Sequence, residues 1–509
     1  MTRRKTVQAA AALLASTLVV SLTACSPPSA EPGDTDDGGS LRIGMVGSSI
    51  DEVQPYAQHS SFSNNAVYAQ VYEGLTALDS EGAVVYKLAE SMEPNESLDV
   101  WTVKLRDGVR THAGEPFTAE DVAESIGWMV DDANAWSVAS QLDFIDPEGI
   151  AIIDDLTLEL ALRQPYGPLP EAFSMTRLVM RSLKGDATFA EPAGTGPFRV
   201  DSFTAGQQAE LSRFDDYWGE PATLDGVVFS FFQEQDAVTN AIRGDQIDVA
   251  QGIPFPEMPM IEAEAMLKIL VSDTATYPLM TMRLDVAPTD DARVREAMRL
   301  LVDRERIVAN AFGGYATLGN DFISKNSACP DPQLPQRAQD LGRAADLLAA
   351  AGAENLTFEL ATDAAFPGMV EMAQLFAEDA AKVGVDVAVS KLDVSTFLNQ
   401  WLEWPFFIGF TSTPYLVSAT GHFSPGGSEN GSHMNDAEYN EIAAKLYRTA
   451  DLREQCDYIS QLRTIEYERG GYIIPVYGQD ITVYNDRVAG LRADLYGRAA
   501  YTLDGVTLG

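Results

Sequence analysis

Residues 101–126 read WTVKLRDGVRTHAGEPFTAEDVAESI. In this short span a strand, two turns and a helix start follow one another. WTVKLR has the aromatic and β-branched content of a strand. Gly108 and Gly114 stand at turn positions, where a positive φ costs a glycine little. Pro116-Phe117-Thr118 sets up a helix, and Thr118 as N-cap is followed three residues on by Asp121, close to a capping box.

The same texture extends outward in both directions. Helical patterns cover residues 64–76, DDARVREAMRLLVDRERIVANAF, GRAADLLAAAG and NDAEYNEIAAKLYRTAD. Strand patterns include LTLELAL, GVVFSFF, LTFELAT and YIIPVYG, and there are no internal repeats. Strands alternating with helices, in a chain too long for one core, predict α/β lobes built on mostly parallel or mixed sheets.

The N-terminus has a different character. Arg3, Arg4 and Lys5 precede an apolar run over residues 9–20, and small residues lead to Cys25. A basic n-region with a short apolar h-region is a secretory signal, too short to span a bilayer. The Leu-Thr-Ala-Cys ending resembles the bacterial lipobox, which implies that residues 1–24 are removed and that Cys25 becomes the lipid-bearing first residue. Two acyl chains on one residue anchor far better than one. The plain alternative is an ordinary signal with a chance cysteine. Export by the general or the twin-arginine route stays open. Residues 26–40 are Pro, Gly, Ser, Asp and Glu with no apolar periodicity, so 25–40 reads as a lipidated cysteine and flexible tether.

Bulk properties narrow the class. About 470 residues remain after the tether, enough for two or three lobes with real cores. A formal charge of −40 indicates a solvated acidic surface and argues against nucleic acid, whose phosphates need a basic face. After Cys25 only Cys329 and Cys456 remain. Outside the cytoplasm two thiols can pair, but sequence does not give their separation, so Cys329 and Cys456 are a possible disulfide.

Signals of chemistry are few. His59, His112, His422 and His433 stand singly, with no metal-ligand spacing, and no nucleophile elbow is present. The glycines of GTGPF lack the partners of a phosphate or dinucleotide loop. Neither a cofactor nor a built-in metal is expected, and the chain reads as a non-enzyme.

The motifs then become recognisable as a set. VYEGLTALDSEGAVVYKLAESME, the stretch at 101–126, GTGPFRVDSF, LSRFDDYWGEPATLDGVVFSF, AIRGDQIDV, DDARVREAMRLLVDRERIV, AADLLAAAG and YIIPVYGQDITVYNDRVAGL occur in order across about residues 41–491. This ordered set closely resembles the family 5 solute-binding proteins of peptide-type ABC importers. The resemblance implies a two-lobed periplasmic-binding-protein-like clamp with an inserted domain. Lobe I would comprise 41–70, 190–272 and 476–509, the inserted domain 71–189, and lobe II 273–475. Crossovers are expected near TATYPLMTMRLD and IIPVYGQD. Arg293, Arg295 and the pair Asp303-Arg304 are expected in surface or inter-lobe ion pairs.

Ligand class turns on residues 403–442. In peptide-binding relatives a Gly-Trp segment here is followed by an aspartate that pairs with the ligand ammonium, since a charged end leaving water needs a charge-assisted partner. This chain keeps Gly409, has Phe410 in place of tryptophan, and carries no acid from Thr411 to Thr420. Phe410, Thr411, Ser412, Thr413 and Tyr415 are therefore expected to line the cleft with an apolar face and hydroxyls. Opposite them stands GSSIDEVQPY (residues 47–56), whose Asp51, Glu52 and Gln54 are the other ligand candidates. The alternative is that the loop merely packs between sheets. The expected function is capture of a peptide, or of a non-peptide solute such as an oligosaccharide or metal chelate, by a monomer that serves importer permease subunits. It would be held on the extracytoplasmic face of the bacterial membrane by its lipid anchor alone. A secreted hydrolase with a dispersed site is the remote third reading.

Overall fold

The strand Ser40–Val46 is buried along most of its length and has a strand on each side. It runs parallel to both Gly226–Phe232 and Val249–Gln251. Around it an eight-stranded mixed sheet follows the order Phe198–Thr204, Gln208–Arg213, Gly226–Phe232, Ser40–Val46, Val249–Gln251, Val476–Asn485, Leu267–Asp273, and Ala316–Leu318 pairs with the near end of Val476–Asn485. The structure, a computed structural model, describes residues 38–49, 51–52, 55–56, 61–131, 134, 138–175, 178–182, 194–324, 327–363, 366–393, 396–397, 399–427, 429–494 and 498–509. Cys25, the tether up to residue 37 and Gln54 lie outside the described residues.

A second sheet has the order Asp386–Lys391, Thr357–Thr362, Phe406–Thr411, Tyr277–Met282, Tyr472–Ile473. All six residues of Tyr277–Met282 are buried, as expected of a strand covered on both faces. A third, antiparallel sheet joins Ala89–Pro94, Val100–Leu105, Thr157–Leu162 and Ile145–Asp154, with helix Ala119–Val130 packed against it. The fold is thus α/β with several mixed sheets.

Local signals act as their chemistry dictates. The Thr118 N–H donates to the Asp121 carboxylate at 2.8 Å, closing the helix start. Gly108 and Gly114 take φ of 81° and 84°. Other boundaries move. The helix expected over 64–76 is Phe62–Val71, because Glu73–Gly74 leaves it to pair with Val179–Met180. The run 290–312 divides into Ala292–Leu300 and Arg304–Ala311, since Asp303 accepts the Arg306 N–H as a fresh N-cap. Pro475 interrupts YIIPVYG between Tyr472–Ile473 and Val476–Asn485.

Two short crossovers join the large sheet to the second one. The chain leaves at Asp273 and re-enters at Tyr277, then returns between Ile473 and Val476. The return segment is fastened by Asp321. This carboxylate is fully buried and accepts two 2.8 Å bonds from the Arg304 guanidinium. Arg337 ion-pairs with it at 2.7 Å, and the Ile474 N–H donates to it at 2.9 Å. Arg304 is therefore a core residue and not a surface one, while Arg293 pairs with Asp291 in solvent. Arg295 donates to the carbonyls of Thr289 and Asp290. Nearby, Cys329 and Cys456 form a disulfide with Cα atoms 5.1 Å apart.

Replacing Asp321 by Ala leaves two buried guanidinium groups without their shared anion. We expect a loss of about 3–5 kcal/mol, read from the shift in the urea unfolding midpoint. A midpoint within error of the wild type would show that the crossover is held by something else.

Candidate functional site

Strand register fixes where the loops emerge. Thr411 lies opposite Tyr277, so Phe406–Thr411 ends beside the first crossover. Its parallel neighbour Thr357–Thr362 ends on the same side of the sheet. In the large sheet, Val249–Gln251 runs antiparallel to Val476–Asn485, with Gln251 opposite Thr482, and so also points toward the crossover end. Ser40–Val46 and Gly226–Phe232 are parallel to it. The carboxyl ends of the parallel strands in both sheets thus face the two crossovers. Ligands of open α/β sheets sit at such carboxyl edges.

On the second sheet's edge, Phe410 is half-buried and stacks on Phe366 with ring centroids 6.0 Å apart. Thr411 is buried, and its hydroxyl lies 3.3 Å from His422 Nε2. That same nitrogen is 2.8 Å from Glu429. Burial opposes ionisation of Glu429, but the facing His422 outweighs it and holds the carboxyl below its ordinary value. The first acid after the run 411–420 is thus Glu429, and it is already partnered. Ser412 and Thr413 are half-buried, and Thr413 shares a 2.8 Å hydrogen bond with Ser418. Tyr415 is fully buried. Its hydroxyl donates to Glu466 at 2.6 Å and the Arg463 guanidinium lies 4.6 Å from its ring centre. It anchors the loop from beneath.

The large sheet's edge is arranged around Asp51. This buried carboxylate accepts from the Ser48 N–H at 3.0 Å and from the Ser61 and Ser63 hydroxyls at 2.9 and 2.6 Å. It ties the turn after Ser40–Val46 to the start of helix Phe62–Val71. Glu52 is exposed, and its carbonyl accepts the Tyr68 hydroxyl. Two residues that the sequence reading did not single out share this edge. Among the described residues, Gln251 ends its strand with no partner for its amide nitrogen, and Gln235 opens helix Gln235–Arg243 with none for its amide oxygen. The stretch DVAQGIP, a strand followed at once by Gly and Pro, was the available signal.

Residues 166–171, beside the third sheet, pack against Tyr447 at the end of helix Ala437–Leu446. The Gly167 N–H donates to the Tyr447 carbonyl at 2.7 Å, and the Tyr166 and Tyr447 rings stack 5.6 Å apart. Glu171 sits in this contact with one carboxyl oxygen unpartnered. Burial pushes its carboxyl up to about 8, although the Leu416 backbone and the Arg463 charge pull the other way.

Two α/β lobes joined by paired short crossovers, with strand ends facing that hinge, define an extracytoplasmic solute receptor of the clamp type. The chain belongs to the bacterial extracellular solute-binding proteins of family 5, whose middle-region model matches residues 83–421. Such proteins serve ABC importers. It is 25% identical over 362 residues to the glutathione-binding protein GsiB of Escherichia coli, spanning 68% of this chain and 69% of the relative. Its structure resembles NikZ from Campylobacter jejuni, solved in complex with Ni(L-His), with TM-score 0.78 and 22% identity over 93% of this chain and 100% of that one. It likewise resembles DppA from Helicobacter pylori, solved with the peptide STSA, with TM-score 0.75 and 20% identity over 92% of this chain and 98% of the other.

The raised carboxyl of Glu171 makes the flank contact pH-dependent. Unfolded, the group ionises near its ordinary value; folded, it stays protonated up to about 8. Its contribution is therefore full in acid and is lost as pH rises from about 4.5 to about 8. Melting temperature should fall over that window, and Glu171→Gln should flatten the fall and melt higher at neutral pH. Parallel profiles for variant and wild type would refute this.

Proposed function

We propose that this protein is a lipid-anchored receptor that captures a short peptide between two lobes and delivers it to the permease of an ABC importer. The observation that carries the reading is the convergence of strand ends from both sheets on two short crossovers. Lobe I is assigned to 41–70, 190–272 and 476–509, the inserted domain to 71–189, and lobe II to 273–475. Phe410 supplies an apolar face, while Thr411, Ser412 and Thr413 offer hydroxyls and backbone groups. Asp51 holds the opposing turn in shape, the exposed Glu52 is the acid there that would meet a ligand ammonium, and Gln54 is a further ligand candidate. Tyr415 acts through the loop it anchors. The protein works as a monomer and performs no chemistry on its cargo.

Only the closed form touches ligand from both sides, so ligand shifts the open–closed equilibrium by its differential affinity. Micromolar binding supplies about 8 kcal/mol, enough to populate the closed state. A glutathione-binding relative and a peptide-bound structural neighbour favour a peptide. The acid-free run 411–420 supports a second reading, a neutral polyhydroxylated solute, and the neighbour solved with Ni(L-His) supports a small chelate.

Native mass spectrometry of the protein as purified, then calorimetry with trialanine, reduced glutathione, maltotriose and Ni(L-His), separates these readings. Peptide should bind, shrink the radius of gyration in solution scattering and raise the melting temperature. Phe410→Ala should weaken it by about 1–3 kcal/mol. Tight binding with no compaction would overturn the clamp mechanism.

The anchor has its own test. Cys25→Ser should move the protein from the membrane to the soluble fraction with its melting curve unchanged. Persistent membrane fractionation, with no lipid mass on the wild-type N-terminal peptide, would count against the lipobox reading.

A further inference from the structure

The large sheet and the third sheet belong to one body, because a single buried cluster runs from Leu41, Ile43 and Val227 to Trp101, Val103 and Leu160. The second sheet is packed within clusters of its own. Besides the crossovers, the first body touches the second at two glycines. Gly167 meets the end of helix Ala437–Leu446, where a Cβ would lie 2.2 Å from the Thr449 carbonyl oxygen and 2.9 Å from the Ala450 nitrogen. Gly82 turns the hairpin of Thr76–Leu78 and Val84–Tyr86, and a Cβ on it would lie 2.9 Å from the Ala328 nitrogen and from the Ser327 carbonyl carbon. Backbone meets backbone at both points, so no side chain there can swing aside for a larger residue.

The two landing points are far apart in sequence but share one platform. Ser327 and Ala328 lead into Cys329, while Thr449 and Ala450 lead into helix Leu452–Arg469, which carries Cys456. The disulfide joins them. Arg463 of the same helix adds hydrogen bonds to the carbonyls of Ile323 at 2.8 Å and Cys329 at 3.2 Å. The platform also reaches the candidate ligand loop, since the Tyr447 hydroxyl donates to the Leu416 carbonyl at 2.8 Å. Leu416 directly follows that loop, so the Gly167 contact lies on its side of the crossovers, where opening of a clamp draws the bodies apart.

We propose that the Gly167 and Gly82 turns, seated on the disulfide-held platform, form a clasp that favours the closed receptor and parts when it opens, a device that rests on the clamp mechanism proposed for this chain. The clasp stabilises the closed form before any ligand arrives, and ligand affinity rises with the closed population. Glu171 makes the device respond to acid. Its carboxyl is faced by the Arg463 guanidinium and by the phenols of Tyr166 and Tyr447, which burial keeps neutral. Closed, the carboxyl keeps its proton up to about 8; exposed by opening, it ionises near its ordinary value. Closure is therefore favoured in acid and weakens as pH rises toward about 8.

Solution scattering on the unliganded full-length protein tests this, with circular dichroism verifying the fold at each pH. The wild type should have a larger radius of gyration at about pH 9 than at about pH 6, and Glu171→Gln should stay compact at both. Gly167 has no positive φ, so alanine there disturbs the contact and not the local backbone. Gly167→Ala should be expanded at both pH values and should bind trialanine about tenfold more weakly. Replacing Cys329 and Cys456 together by alanine should expand the protein in the same way. A Gly167→Ala radius equal to or below that of the wild type would overturn the clasp, as would a wild-type pH response retained in Glu171→Gln. Compaction of the wild type by trialanine alongside either result would leave the clamp standing. The expected scattering changes without trialanine binding would support the clasp and remove the peptide cargo.

Discussion

Asp321 holds together a region in which several elements meet. Its carboxylate sits among Arg304, Arg337 and the Ile474 N–H. A charge buried so deeply is tolerated only with its partners in place. Through Arg304 it fixes the start of helix Arg304–Ala311, and through Ile474 it fixes the chain returning to the large sheet. Its own backbone adopts φ of +61°, a conformation that asparagine and aspartate accept more readily than most side chains. One acidic group thus fastens the returning crossover to helix Arg304–Ala311.

From that fixed point the geometry of the cleft follows. The short crossovers leave little slack, so each lobe presents its strand ends as a rigid edge. Glu466 extends the same logic deeper into the second lobe. It accepts the Tyr415 hydroxyl and the Ile323 N–H, linking the 411–415 loop to the segment after Asp321. Loop and crossover region therefore share one hydrogen-bonded support.

Much of this architecture was legible in the sequence because its determinants are local. Thr118 with Asp121, and the paired turns at Gly108 and Gly114, depend on residues a few positions away. The helix of residues 64–76 was read too long, since its end depends on Glu73–Gly74 pairing with residues more than a hundred positions distant. Arg304 is expected in a surface or inter-lobe ion pair, and its burial escapes the sequence because its partner, Asp321, lies in a loop with no periodicity to announce it. Gln235 and Gln251 escaped for a related reason. A glutamine in sequence carries no mark of whether its amide will find a partner. The pairing of Cys329 with Cys456 was open to either outcome until their distance was known.

That disulfide has one more consequence. It closes a covalent ring across 127 residues, which contains the strands Thr357–Thr362, Asp386–Lys391 and Phe406–Thr411. An irregular stretch, residues 330–340 with prolines at 330, 332 and 335, alternates between exposed and half-buried positions just inside the ring. A protease that clips the chain there would leave two polypeptides still stapled to each other and to a common core.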